Sequence, residues 1–384
     1  MKAELYKDQI KQLLAMVEAG KGDEAEIGHV MPVAEFLDPK RLEDERNLFK
    51  QLPLIVGHTD QIRQPGDYFV KELDGRSWLI VRGKDGKARA FYNYCQHRGT
   101  KLVHEQKGQC QHRFVCPYHA WTYNNSGKLV GVPRADLFPG LDKTEKNLKS
   151  ADLQEAYGLL WLTQSAEQTP PIDNYLGEVK DGLAAMGLEN YHLYFDKTRE
   201  LKASWKFPLF AFLEAYHLPV LHKHSIGDFF VENISHSELL GRHIRSFVPR
   251  QNVVDLVDAD LSQTNLSDYV TPTHILFPNV CMIEHPTSLS ILSMFPGSTP
   301  GTSSWRHMLL TPKVPDSDAE RAHYDKTIAV LDGMTYEKED FWISEQAQEG
   351  INAGAISEFS LSKNEYMIKV FNDLVTEHLA ELKR

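Results

Sequence analysis

The chain has 384 residues, 42% of them hydrophobic, which is enough for a substantial core spread over two domains or one large one. Its 53 acidic side chains against 42 basic give a net charge of −11, which repels phosphate backbones and argues against nucleic-acid binding. No apolar run approaches the roughly 20 residues of a membrane span, and four cysteines are a poor basis for a disulfide framework, so a reducing cytoplasm and a small-molecule or protein partner are expected.

In chain order, residues 1–18 alternate charged and apolar side chains at helical spacing and read as an amphipathic helix within an N-terminal segment, 1–49, that packs on the last domain. Short β-like runs follow at 67–71, 77–82, 88–92 and 158–162, broken by Asp-Gly turns, and define a small all-β domain over 50–165. Residues 163–173 are mostly polar and carry a Pro-Pro pair, a linker signal. A second domain, 166–384, has strand candidates at 193–201, 238–249, 274–284, 288–295 and 303–312. Helical patterns at 317–332, 337–353 and 362–382 close it.

Inside the β domain, Cys95-Gln96-His97-Arg98-Gly99 and Cys116-Pro117-Tyr118-His119-Ala120-Trp121 pair a cysteine with a histidine at two different spacings. Two thiolates on one iron and two imidazoles on the other is the ligand set of a Rieske [2Fe-2S] centre, which makes Cys95, His97, Cys116 and His119 the expected ligands. Residues 98–115 leave room for two loops that converge on one cluster, and Gly99 and Pro117 suit tight turns. A structural zinc would use the same four residue types but does not call for the flanking Arg-Gly and Pro-Tyr. Cys110-Gln111-His112 repeats the first motif, yet only three residues separate His112 from Cys116, too few for a second loop; Cys110 is read as a spare thiol, as is Cys281.

The second domain holds a further metal-ligand pattern at Glu214, His217 and His222. Glu214 and His217 share a helical face, whereas His217 and His222, five apart, would diverge by about 140° on an unbroken helix. Pro219 offers the remedy by kinking or ending the helix just after His217, so that His222 swings back. Two imidazoles and an anion make the facial triad of non-haem ferrous iron. Asp340 is the candidate anion, because it falls on the stripe of Ile343, Ala347 and Ile351, where a carboxylate needs a partner. Ordinary core histidines and a solvated helix acid would explain the same residues, and the companion cluster favours the metal. Phe210 and Leu213, on the helical face of His217, and His224, Phe229 and Phe230 just beyond it are the candidate pocket residues.

Together these segments resemble the Rieske non-haem iron oxygenases, specifically the catalytic α subunit, from about Phe36 onward. The resemblance rests on Cys95 to Gly99 with Cys116 to Trp121, on Glu214-Ala215-Tyr216-His217 with His222, and on Glu339-Asp340 followed by Glu345, Gln348 and Gly350. It implies an α+β chain in which an all-β Rieske domain precedes a helix-grip, START-like antiparallel-sheet domain holding mononuclear Fe(II). It also implies an O2-dependent oxygenase acting on a small organic substrate by hydroxylation, demethylation or dihydroxylation. Electrons would come from NAD(P)H through a separate reductase, with or without a ferredoxin, since nothing here resembles a nicotinamide or flavin site. The resemblance further implies that Glu214 bridges His217 to His119 of the next subunit for electron transfer, which requires a homo-oligomer, a trimer in relatives that lack a second subunit type. A glutamate at that place is similar to the branch of carnitine and choline monooxygenases. Phe210 stands where ring-hydroxylating dioxygenases often carry a polar amide. The competing reading is a non-catalytic Rieske electron carrier with a docking domain, in which the triad is accidental.

Overall fold

The structure is a computed structural model that describes residues 2–110, 112–166 and 168–382. It divides into two compact units, Phe49–Tyr175 and Met1–Leu48 with Leu176–Arg384. Helices combine with antiparallel sheets, the α+β class expected.

The unit Phe49–Tyr175 is a seven-stranded antiparallel sheet beside a three-stranded one of Arg113–Val115, Thr122–Asn124 and Leu129–Gly131. Strands Asp67–Leu73 and Arg76–Arg82 are joined by Asp74 and Gly75 at φ +50° and +71°, the left-handed pair that a two-residue hairpin loop demands. Leu79, Phe91, Phe114, Trp121 and Tyr123 form its core together with the Cys95 and Cys116 thiols. Residues 163–173, which read as a linker, are bonded to the sheet in part. The Gln154 amide nitrogen donates to Thr169 Oγ1 at 2.7 Å and Pro170 O at 2.9 Å, and its oxygen accepts from Ile172 N at 2.8 Å. These bonds tie the segment to the strand Ser150–Ala156, so the unit runs on to Tyr175 and not only to 165. Glu167 lies outside the described residues, as does Gln111 of the repeated Cys-Gln-His motif.

The other unit centres on a seven-stranded antiparallel sheet in the order His192–Leu201, Ser303–Thr311, Leu289–Pro296, Val280–Glu284, Val270–Leu276, His243–Pro249, His236–Leu240. Two expected strands, 238–249 and 274–284, are hairpins; the first turns at Gly241, φ +62°, which a run of strand-forming residues around it conceals. The N-terminal helix Lys7–Ala19 buries Ile10 and Leu13 against Phe247, Val253 and Val270. The C-terminal helix Tyr366–Glu381 buries Met367, Phe371, Val375 and Leu379, an i, i+4 stripe.

Ahead of it, the helix Asp318–Val330 continues without interruption through a π-helical segment, Leu331–Asp340, into the helix Phe341–Asn352. The two helices expected at 317–332 and 337–353 are thus one rod. The expected stripe also shifts: Ile343 is 41% exposed and Ala347 is exposed, while Asp340, Phe341, Ser344, Gln348 and Ile351 are buried. Polar side chains occupy that face because they have backbone partners. Ser344 Oγ donates to Asp340 O at 2.7 Å, and Gln348 Oε1 accepts from Ser204 N at 3.0 Å.

Lys206 opens the helix Lys206–Phe210 and is only 1% exposed. Its ammonium lies 3.0 Å from Glu45 Oε1, 3.4 Å from Glu35 Oε1 and 3.3 Å from Asn372 Oδ1, above the Phe36 ring. Glu45 also accepts from Trp205 Nε1 at 2.8 Å and Arg41 Nε at 3.0 Å. Burial pushes the Glu45 carboxyl up, but Lys206, Trp205 and Arg41 outweigh it and hold it below the usual range near 4.5. A depressed carboxyl stabilises the fold above its unfolded-state pKa and loses that contribution as pH falls through the folded one. Lys206→Met is expected to cost about 3–5 kcal/mol in urea unfolding at pH 7, since Glu45 is left buried without its strongest partner. Glu45→Gln should flatten the loss of stability that the native protein shows below about pH 4.5. A flat native profile in that window would overturn this account.

Candidate metal centres

The two cysteine loops are built alike. Cys95 N donates to Thr100 O and Gly99 N to Cys95 O, both at 2.9 Å; Cys116 N donates to Trp121 O at 2.9 Å and Ala120 N to Cys116 O at 3.0 Å. Each loop turns at a left-handed residue, Gly99 at φ +74° and Ala120 at φ +54°. The thiols of Cys95 and Cys116 are buried and near enough that charge on one disfavours charge on the other, and the rings of His97 and His119 have centroids 4.8 Å apart. Thiols and imidazoles are thereby sorted into two adjacent pairs, one for each iron of a Rieske cluster.

Burial pushes the Cys95 thiol up, and burial, His119 and Arg98 hold His97 below the usual histidine range, which favours the neutral ring that a metal ligand needs. Trp121 stacks on His97 with centroids 4.8 Å apart and planes 8° off parallel. Tyr123 Oη is 3.4 Å from Cys95 Sγ and accepts from Gln96 N at 3.0 Å. His119 is exposed beside Tyr118. Cys110 is a partly buried thiol at the edge of the same core, His112 is exposed, and Cys281 is fully buried.

In the other unit the helix Lys206–Phe210 passes into a 3-10 turn, Ala211–Leu213, and breaks at Glu214, whose backbone is extended. The break therefore precedes His217, and the expected kink at Pro219 is absent. Pro219 lies in the first turn of the next short helix, Leu218–Leu221, where its missing N–H leaves no bond unmade. The Glu214 carboxylate ends one helix and starts the other, accepting from Tyr216 N and from His217 N, the latter at 3.2 Å.

The same carboxylate binds His217 Nδ1. Glu339 Oε2 does this for His222, 2.7 Å from its Nδ1, and also accepts from Ser225 Oγ at 2.5 Å. A carboxylate on Nδ1 fixes the ring and its tautomer and leaves Nε2 free. Sequence reasoning gave Glu339 no role of its own, although its position next to Asp340 was the available signal. His222 Nε2 is 3.3 Å from Asp340 Oδ1, and the ring centroids of His217 and His222 are 5.0 Å apart.

Among the described residues, His217, His222 and Asp340 are the only three or more such side chains whose ligand atoms all lie within 4.8 Å of one another. Asp340 Oδ1 is buried and accepts no well-formed hydrogen bond. Burial works against charge on His222, yet Asp340 and Glu339 hold its pKa above the ordinary value. The spot favours positive charge, and a divalent ion fits it.

The triad lies in the wall of a cavity of about 520 Å³. Phe229 and Phe230 line it, but Phe210, Leu213 and His224 do not. Phe210 packs into the core against Phe36, Phe207 and Phe371, Leu213 is buried and His224 is exposed. The break at Glu214 turns Ala211, Phe212 and Leu218 to the cavity instead.

The family described as Rieske [2Fe-2S] domain matches residues 53–142, and the ring hydroxylating alpha subunit (catalytic domain) matches residues 188–381. The glycine betaine monooxygenase oxygenase subunit of Chromohalobacter salexigens is 32% identical over 195 residues, 50% of this chain and 43% of that protein. The carnitine monooxygenase oxygenase subunit of Acinetobacter baumannii is 28% identical over 51% of this chain and 53% of its own length. The chlorobenzene dioxygenase subunit alpha of Cupriavidus sp. is 38% identical over 37% of this chain and 31% of its own length. The chain thus aligns with about a third to a half of the length of these relatives.

Among solved structures, the quaternary ammonium Rieske monooxygenase CntA with L-carnitine superimposes at a TM-score of 0.78 with 20% identity, over 93% of this chain and 96% of that one. Naphthalene 1,2-dioxygenase from Rhodococcus sp. gives 0.77 with 18% identity, over 99% and 100%. These likenesses establish the fold. With half of its length matched by the catalytic-domain family and a Rieske [2Fe-2S] domain ahead of it, the chain belongs to the ring hydroxylating alpha subunits.

Proposed function

We propose that this chain is the terminal component of a Rieske oxygenase that inserts oxygen from O2 into a small organic substrate, with electrons from a separate NAD(P)H-dependent reductase. The observation that carries this reading is the convergence of His217, His222 and the hydrogen-bond-deficient Asp340 on one point of the cavity wall. Three ligands leave positions open for O2 and substrate. When bound, the iron at this triad and the [2Fe-2S] cluster held by Cys95, His97, Cys116 and His119 supply O2 activation and one-electron storage.

The protein's own groups do the remaining work. Glu214 and Glu339 orient the two imidazoles through Nδ1, and Phe212, Phe229 and Phe230 give the cavity an aromatic, apolar lining. Exposed His119 and Tyr118 on one unit, and exposed Tyr216 and Val220 beside Glu214 on the other, support a homo-oligomer in which Glu214 connects His217 to His119 of a neighbouring subunit. The relatives include both monooxygenases and dioxygenases, and either outcome suits the same triad.

Asp340→Ala or His217→Ala should remove one iron in three per chain while the cluster's visible spectrum persists. Glu339→Gln should weaken the retention of that iron by roughly 10- to 100-fold. Full iron in the Asp340 variant would refute the triad and leave a plain electron carrier. Glu214→Gln should keep both centres yet slow reoxidation of the reduced cluster by O2 and substrate by about 10- to 100-fold in stopped-flow. Unchanged reoxidation would remove Glu214 from the electron path.

A further inference from the structure

The cavity contains a second polar group that the metal chemistry does not use. Arg250 follows the strand His243–Pro249 and lines the cavity, its guanidinium 5.8 Å from the Phe230 ring centre. Among the described residues no side chain forms a hydrogen bond or ion pair with it, and its Nε is buried without a partner. Burial lowers its pKa, and Asp268 opposes this only at longer range. A half-buried guanidinium whose Nε is cut off from water and has no anion is left incompletely satisfied.

Two hydroxyls in the same wall share this condition. Thr271 Oγ1 and Ser288 Oγ are buried and make no hydrogen bond, and the two residues are 7% and 5% exposed. Sheet register brings Arg250 and Thr271 together, and Ser288 lines the same cavity. Val248 pairs with Thr271, which sets Arg250 two residues along on the same face, and Thr273 pairs with Ile283 on the adjoining strand. Apart from the triad and Glu214, the titratable groups of the cavity are Arg250, His285, His323, Lys326 and the Tyr336 phenol; burial, His307 and Arg250 push His285 down to about 3, so the wall offers the cations of Arg250 and Lys326 and no further carboxylate.

We propose that Arg250, with Thr271 and Ser288, binds a carboxylate of the substrate, so that the substrate is a small organic acid with an apolar or betaine body and not a neutral hydrocarbon or simple quaternary amine. The assignment rests on the oxygenase reading above. A guanidinium presents parallel N–H donors to a carboxylate, and the hydroxyls complete its acceptor shell.

Calorimetric titration of the iron-loaded holoenzyme without O2 tests this directly, with benzoate, phenylacetate, hexanoate and glycine betaine each set against its primary amide. At least one acid is expected to bind roughly 10- to 100-fold more tightly than its amide. Which acid does so separates aromatic, aliphatic and betaine sources. Arg250→Gln should abolish the preference, Arg250→Lys should retain part of it, and the double variant Thr271→Val with Ser288→Ala should weaken it. No acid preferred over its amide in the native protein, or a preference that survives in Arg250→Gln, would overturn the subsite. Iron counted in the same samples separates the two readings: a full complement with no acid preference removes only the subsite, whereas a missing third iron removes the oxygenase assignment and with it the substrate role of any acid bound.

Discussion

An imidazole can offer a metal only one nitrogen, and which one it offers depends on what holds the other. Here each triad histidine has a carboxylate on Nδ1, Glu214 for His217 and Glu339 for His222. That pairing sets ring orientation, tautomer and local charge at once. It also makes Asp340 tolerable in its buried place, because the two rings turn their remaining nitrogens toward an oxygen that has no hydrogen bond of its own.

The backbone serves this arrangement by departing from regular helix at two points. On one side the chain stops at Glu214 and restarts at His217, so that one carboxylate caps a helix and orients a ligand together. On the other, the π segment carries Glu339 and Asp340 in consecutive positions, one reaching a ring's Nδ1 and the next facing that ring's Nε2. Below the first break, Lys206 with buried Glu45 and half-buried Glu35 anchors the short helix that leads into Glu214, and this gives an otherwise irregular segment a fixed base.

Much of this was legible in the sequence. The unequal Cys-His spacings and the closeness of Glu214, His217 and His222 are local facts, and local spacing survives folding. In the sequence Asp340 falls on an apolar stripe, but Ile343 and Ala347 of that stripe face solvent, and Ser344 and Gln348 take the buried face because backbone groups satisfy them. Hydrophobic periodicity cannot detect a buried polar side chain. It cannot detect a helix break made by a side-chain carboxylate either, which is why Phe210 was expected in the cavity where Phe212 stands. Arg250 is hidden in the sequence for a related reason: only the pairing of distant strands brings it beside Thr271.

The uninterrupted rod from Asp318 to Asn352 has an evolutionary corollary. Its π-wound stretch places Asp340 by counting residues from a helix packed elsewhere, so angular position is stored in segment length. Losing or gaining one residue within Leu331–Asp340 would turn everything beyond it by roughly 100° on an α-helical path, a larger displacement than any point substitution produces. Lineages of this chain can therefore vary the side chains of the stretch other than Glu339 and Asp340 and so reshape the cavity wall, but its length is a quantity they must inherit intact.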